Sequence, residues 1–419
     1  MNRAGQVLDL PDQQTRAMTA VANPLVCVMD YRLGPFGWMR LQAASSKGLV
    51  LGLEMSAETS DYAWDKVQAK GDFNRVTLFP EKECNAAPIS EIICRLHAAL
   101  DQHRPATVAI FGWSFNWSLA ALLWCLKNQV PAIVLSDSTI RSNSRQWWKE
   151  TLKRRIVSLF SAGLVAGTPQ IDYLATLGMP RERIFTGWDV VDNEHFVRGA
   201  ALARQNGSDL RVQLGLPENY FLAVNRFIEV KNLQRLIEAY ARYRDAAGAR
   251  AWKLVLIGDG PLMPKVQQWR EHYRLSDDLV LPGFKQHPEL PSYYGLAKAF
   301  VLASTSETWG LVVNEALASG LPALVSDHCG CVEDLIDHGR NGFRFDPLDV
   351  VNLSQLMRRL ASPETDLDAM GRASREIIAK WSPDAWADNL QLASRAAHAC
   401  PPRRLNPVNQ LLLQLLIHR

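Results

Sequence analysis

Short apolar, β-branched runs alternate with longer amphipathic segments along most of the chain, and this alternation constrains the fold more than any other feature. In the first half the runs fall at 24–30, 48–55, 75–80, 107–112, 131–137 and 163–167. The series restarts at 220–226, 253–260, 279–284, 299–304 and 321–327. Runs such as PAIVLSD and KLVLIGDG are apolar almost throughout rather than every second residue, as expected for parallel strands covered on both faces by helices. Two doubly wound, Rossmann-like α/β domains in tandem are therefore expected, with ligands at the carboxyl ends of the strands. A length of 419 residues fits that count. Segment 187–201, polar and weakly patterned, reads as the interdomain connection. The division expected is an acceptor-side domain over 1–195, a donor domain over 196–380, and a tail over 381–419 that packs back on the first domain.

A formal net charge of +3 gives no ground for a nucleic-acid partner. The cysteines at 27, 84, 94, 125, 329, 331 and 400 contain no C-x-x-C pair, which speaks for reduced thiols rather than a zinc site. The first twenty residues have no apolar core of the signal-peptide kind, and no run approaches the ~18 apolar residues of a spanning helix. A cytoplasmic protein is expected, at most lying against the cytoplasmic face of a membrane.

Chemistry concentrates in two places. Ser306-Glu307-Thr308-Trp309-Gly310-Leu311-Val312-Val313-Asn314-Glu315 follows a strand and opens a helix that Gly320 and Pro322 end. Gly310 permits a tight turn, and the N–H groups of 310, 311 and 312 sit at the positive end of the helix dipole, a ready cradle for a diphosphate. Glu307 precedes the helix and Glu315 lies within it, two carboxylates suited to vicinal hydroxyls. Upstream, Arg226 ends the strand YFLAVNR and Lys231 opens the next helix. A bidentate guanidinium and a mobile ammonium at one sheet edge both suit a diphosphate.

These residues, with the strand–loop IGDGP at 257–261, the turn LPGF at 281–284 and the Glu307-x7-Glu315 spacing, make residues 220–360 resemble glycosyltransferase family 4 of the GT-B fold. The resemblance implies a nucleoside diphosphate sugar as co-substrate, bound between the domains, with retention of anomeric configuration and no cofactor. It implies that Arg226 and Lys231 neutralise the leaving diphosphate, Glu307 contacts the hexose, and Glu315 holds the ribose. Gly258 and Gly260 would let the chain pass near the nucleoside, and Phe284 would lie along the base. UDP is the default base, with GDP and ADP as alternatives. Independently of family, fixed cations stabilise the charge that develops on a diphosphate as an anomeric C–O bond breaks, so no metal is required. The D-x-D string Asp366-Leu367-Asp368 falls away from any strand end. A nucleotide-sugar 2-epimerase would want further cleft carboxylates and histidines. A non-catalytic nucleotide-sugar or glycan-binding subunit is the other alternative.

The first half carries fewer signals. Gly34 and Gly37, in DYRLGPFGW, occupy the place of the family's glycine loop without its adjacent glycines. They serve either a simple strand–helix turn or backbone approach to donor or acceptor. Trp113-Ser114 stand where many relatives have a histidine, and Ser136-Asp137-Ser138-Thr139 also end a strand. Arg141, Arg145, Lys149 and Lys153 recur every four residues, one cationic stripe expected along a helix opposite an apolar stripe of Trp148, Leu152, Ile156 and Phe160. The cationic stripe is either solvated or set against anionic headgroups, with Trp147 at the interface. The tail NQLLLQLLIHR either adds to that contact or docks on the first domain.

Overall fold

The structure is a computed structural model and describes residues 24–57, 71–141, 146–401 and 403–419. Its first half runs β1 (Val26–Asp30), α1 (Pro35–Ser45), β2 (Val50–Ser56), β3 (Asn74–Phe79), α2 (Ile89–His103), β4 (Thr107–Phe111), α3 (Asn116–Asn128), β5 (Ala132–Ser136), α4 (Trp147–Val157), β6 (Ala162–Val165), α5 (Thr168–Thr176) and β7 (Ile184–Phe185). The second runs α6 (Asn193–Gln205), α7 (Gly207–Leu214), β8 (Tyr220–Val224), α8 (Leu233–Ala247), β9 (Lys253–Ile257), α9 (Met263–His272), β10 (Leu279–Gly283), α10 (Leu290–Leu296), β11 (Ala299–Leu302), α11 (Leu311–Ala318), β12 (Ala323–Ser326), α12 (Val332–Leu335), β13 (Gly342–Phe345), α13 (Val350–Leu360) and α14 (Leu367–Ile378). Helices α15 (Pro383–Ala399) and α16 (Pro407–Ile417) follow.

Every expected strand is present, and every pairing is parallel. The first sheet has the order β3-β2-β1-β4-β5-β6-β7 and the second β10-β9-β8-β11-β12-β13. Burial explains the composition: all seven residues of β2 and all five of β5 are buried. In each sheet the order reverses at the middle, between β1 and β4 and between β8 and β11. A reversal of this kind opens a crevice at the carboxyl ends of the strands. The loops after β8 and β11, which carry Arg226, Lys231 and Glu307, leave from that crevice.

Two strands, β7 and β13, lie outside the expected runs. The first is a two-residue edge strand and the second has Arg344 at its centre, so neither reads as an apolar run. The weakly patterned connection is corrected as well. Its second part is helical: α6 begins at Asn193, capped by Asp192, which accepts from the His195 N–H at 3.1 Å. Phe196, Ala200 and Ala203 then face inward along that helix.

Helix α15 crosses back to the first half. Trp386, Leu390 and Ala393 join Val26, Ala109 and Ile133 in one apolar cluster, so the chain's end covers one face of the first sheet. Leu413 and Ile417 of α16 bury in the cluster on the opposite face, with Leu119 and Leu123 of α3.

Candidate functional site

The two crevices face each other. Thr308 in the loop after β11 donates its hydroxyl to Asp137, after β5, at 2.9 Å, and Gln170 of α5 donates to the Thr308 carbonyl at 2.6 Å. Thr168 donates to Asp334 at 2.6 Å, and Arg141 to the Asp327 carbonyl at 2.9 Å. Phe36 of α1 meets the ring of His287 edge-on, centroids 5.5 Å apart.

On the second sheet's edge, Lys231 ends a short 3-10 turn and its ammonium pairs with the Glu307 carboxylate. Ser304 donates to the same carboxylate oxygen at 3.2 Å. The Glu307 backbone is held from both sides, donating to the His328 carbonyl at 3.3 Å and accepting from the Gly330 N–H at 3.0 Å. Three residues on, Gly310 opens α11 with φ +110°, a conformation other residue types rarely take. Trp309 is buried beside it and donates its indole N–H to Asn314 at 2.9 Å, which sets the angle at which the helix leaves the loop. The first-turn residues Leu311 and Val312 remain half-buried. Lys231, Glu307 and the first turn of α11 thus share one corner of the cleft. Arg226 and Phe284 are both exposed beside it, at the ends of β8 and β10.

Gly258 and Gly260 have a cause within the protein. A Cβ at Gly258 would stand 1.8 Å from the Asn225 carbonyl oxygen, and one at Gly260 would stand 2.8 Å from that of Phe227. The Phe227 N–H donates to the Asp259 carbonyl at 2.8 Å, so this loop braces the chain that carries Arg226 and Lys231. Gly34 begins α1 with open space around it, whereas a Cβ at Gly37 would meet Leu33 at 3.1 Å.

Glu315 sits deeper than its spacing suggested, at 2% exposure. The Tyr294 hydroxyl donates to its Oε2 at 2.6 Å, and burial pushes the carboxyl up to about 7. Tyr294 lies on α10 and carries no motif.

The first sheet's edge differs in kind. Burial raises Asp30 to about 6 against the opposing pull of Arg40, whose guanidinium lies 3.5 Å away. Asp137 is raised by burial, and Asp189 is raised well above its usual range by burial and then by Asp137. The Asp189 Oδ2 is buried without a hydrogen-bond partner. Arg40 donates to the Trp188 carbonyl at 2.6 Å and stacks 3.7 Å above the Trp188 ring. Carboxylates tuned upward and opposed to Glu307 can accept from hydroxyl groups, or hold a proton near neutrality. Asp189 and Tyr294 are the residues that sequence reasoning missed. Trp113 is buried in the core against Tyr173, centroids 6.2 Å apart, away from the cleft.

The cationic stripe does not form as expected. Helix α4 starts at Trp147, so Arg141 precedes it and reaches across to Asp327; Arg145 lies outside the described residues. Lys153 pairs with Glu150 at 2.8 Å, leaving Lys149 to the exposed face. Of the apolar stripe, Ile156 and Phe160 are buried in the core and Leu152 packs against it half-buried, whereas Trp148 is exposed. Asp366 of the D-x-D string caps α14, accepting from the Ala369 N–H at 2.8 Å. A concavity of about 1220 Å³ beside Arg250, Arg340 and Arg359 lies away from this cleft and receives none of these loops. Among the described residues no helix is long and apolar enough to cross a membrane.

Comparison with known proteins places the second half. Residues 208–377 match the family described as glycosyl transferases group 1. The sulfoquinovosyl transferase SQD2 of Arabidopsis thaliana is 30% identical over 236 residues, 54% of this chain and 43% of that protein. The chain thus spans less than half the length of that relative. Among solved structures, sucrose-phosphate synthase of Thermosynechococcus elongatus superposes with a TM-score of 0.69 at 18% identity, covering 90% of this chain and 99% of that one. An Anabaena protein, HepE, crystallised with UDP-glucose, superposes with a TM-score of 0.63 at 16% identity over 90% of this chain and 100% of its own. The two-sheet architecture is the GT-B fold.

Proposed function

We propose that this chain, with its group 1 glycosyl transferase segment at residues 208–377, is a retaining glycosyltransferase that moves a hexosyl group from a nucleoside diphosphate sugar to a hydroxyl of a glycan, lipid-linked or small-molecule acceptor. The observation that carries the reading is the Lys231–Glu307 contact, which brings an ammonium and a carboxylate together beside the N-terminus of α11.

In this reading the diphosphate lies on the first turn of α11, where N–H groups lack intrahelical partners, and the helix dipole favours the anion. The Lys231 ammonium has three N–H bonds, so it can hold Glu307 and phosphate together, and Arg226 adds a second cation. As the anomeric bond lengthens, negative charge grows on the bridging oxygen, and both cations meet it in place. Glu307 accepts from hexose hydroxyls, and Glu315, oriented by Tyr294, accepts from the ribose. With two fixed cations on the leaving group, the step needs no divalent ion. UDP is the base to test first, in keeping with the UDP-glucose held by the Anabaena neighbour. Asp137 and Asp189 stand opposite as acceptor-side hydroxyl partners.

The test is to incubate the purified protein with UDP-, GDP- and ADP-sugars and follow nucleoside diphosphate release and sugar products by NMR. Release with a product of the donor's own anomeric configuration supports the proposal. Binding without turnover would favour a non-catalytic subunit, and an epimerised donor a 2-epimerase.

A further inference from the structure

Helix α16 is apolar on two sides and covered on one. Asn409, Leu413 and Ile417 face the protein. Val408, Leu411 and Leu415 face outward, the last at 63% exposure. A helix apolar all round is normally buried all round, so this outer face wants a covering surface. Arg155 near the end of α4 donates to Asn409 at 3.0 Å, and Arg419 beyond α16 donates to the Ser114 carbonyl at 2.7 Å. These bonds run α16 from the far end of α4 back towards the loop after β4, at the carboxyl end of the first sheet. At the cleft end of α4, Trp147 is 82% exposed and Trp148 is exposed beside it.

We propose that α16 and the first turn of α4 form one face that docks on an anionic lipid surface. Charge selects that occupant. Within α4, Lys149, Lys153, Arg154 and Arg155 meet a single acid, Glu150, which is already paired with Lys153. Residues 401–419 contain Arg403, Arg404 and Arg419 and no acid. Indole rings and leucines flanked by basic side chains match the boundary between acyl chains and phosphate headgroups. A second copy is the poorer match, because an isologous contact sets the same basic patch against itself. The docked face lies on the first half and leaves Lys231 and Glu307 untouched, so it stands independently of the transferase reading. Its geometric consequence is that the acceptor side of the cleft opens near the headgroup layer.

The experiment is flotation of the full chain with vesicles of equimolar phosphatidylglycerol and phosphatidylcholine, and with vesicles of phosphatidylcholine alone. The full chain is expected to float with the anionic vesicles only and to be released by high salt. Leu411→Gln with Leu415→Gln, and separately Trp147→Ser with Trp148→Ser, each lower partitioning at least about tenfold, by the apolar area withdrawn. Thermal melting should stay unchanged, since these side chains are exposed. The proposal is overturned if the full chain stays unbound with anionic vesicles, or if both double variants float like the parent. It is equally overturned if sedimentation shows a dimer that these substitutions dissociate, which would assign the face to a second copy.

Discussion

The carboxyl edges of the two sheets are built alike and equipped differently. Both sheets reverse strand order at the middle, and both send their loops into one cleft. The second sheet's edge offers cations and a glycine-opened helix, with Lys231 and Glu307 already in contact. The first sheet's edge offers carboxyls, Asp30, Asp137 and Asp189, each raised first of all by burial. One edge suits a diphosphate, the other suits neutral hydroxyl groups. Similar scaffolds thus leave function to the strand-end loops, which is why fold alone does not assign chemistry.

Four sets of substitutions can break or sharpen that contrast. Lys231→Ala and Glu307→Gln, on the cationic edge, should each lower kcat by about 10²–10³, the scale of losing one electrostatic contact to the transition state. Their Tm should fall as well, because the pair is only 15% and 18% exposed and removing one partner leaves a largely buried charge without its counter-ion. Steady-state kinetics beside a melting curve reads both, and a variant with full activity would remove that residue from the site. Next in size, Tyr294→Phe should raise the donor KM about tenfold with a smaller change in kcat, by loss of the hydrogen bond that orients the Glu315 carboxyl. An equal fall in kcat at saturating donor would make Tyr294 part of the chemistry instead.

Glu315→Gln tests burial itself. The folded-state pKa of Glu315 is raised from 4.5 to about 7, so the native state holds a proton that the unfolded chain has lost. Stability is therefore lost as pH rises through that window. The Gln variant lacks this loss. It should be more stable than the parent at pH 8, by on the order of 3 kcal/mol, and should show no such gain at pH 4. A constant difference across pH would contradict the assignment. Smallest is Asp137→Asn, on the carboxyl edge. It should weaken acceptor binding severalfold and leave nucleotide affinity unchanged, since the Thr308 contact is at most one hydrogen bond of about 1 kcal/mol.

Legibility followed the same divide. Strands covered on both faces announce themselves as apolar runs, so the sheets were readable except for β7 and β13, whose length and Arg344 break the pattern. Lys231, Glu307 and Gly310 were readable because a strand–loop–helix corner requires consecutive residues at set spacings. Asp189 and Tyr294 were not, since each acts through a contact distant in sequence: Asn314 donates to the Asp189 carbonyl at 3.1 Å, and Tyr294 meets Glu315 from the neighbouring helix. Gly258 and Gly260, expected from the resemblance to lie near a nucleoside, are already demanded by backbone packing against Asn225 and Phe227. The basic stripe failed because periodicity does not mark where a helix starts, and α4 starts at Trp147.

Calorimetric titration of UDP into the full chain, into Lys231→Ala and into Asp137→Asn tests the central claim most directly. The contrast between the edges predicts that UDP binds the parent and Asp137→Asn alike, with or without magnesium, and binds Lys231→Ala at least about tenfold more weakly. A folded parent that takes up no nucleotide, or a Lys231→Ala protein that binds as tightly as the parent, would contradict it.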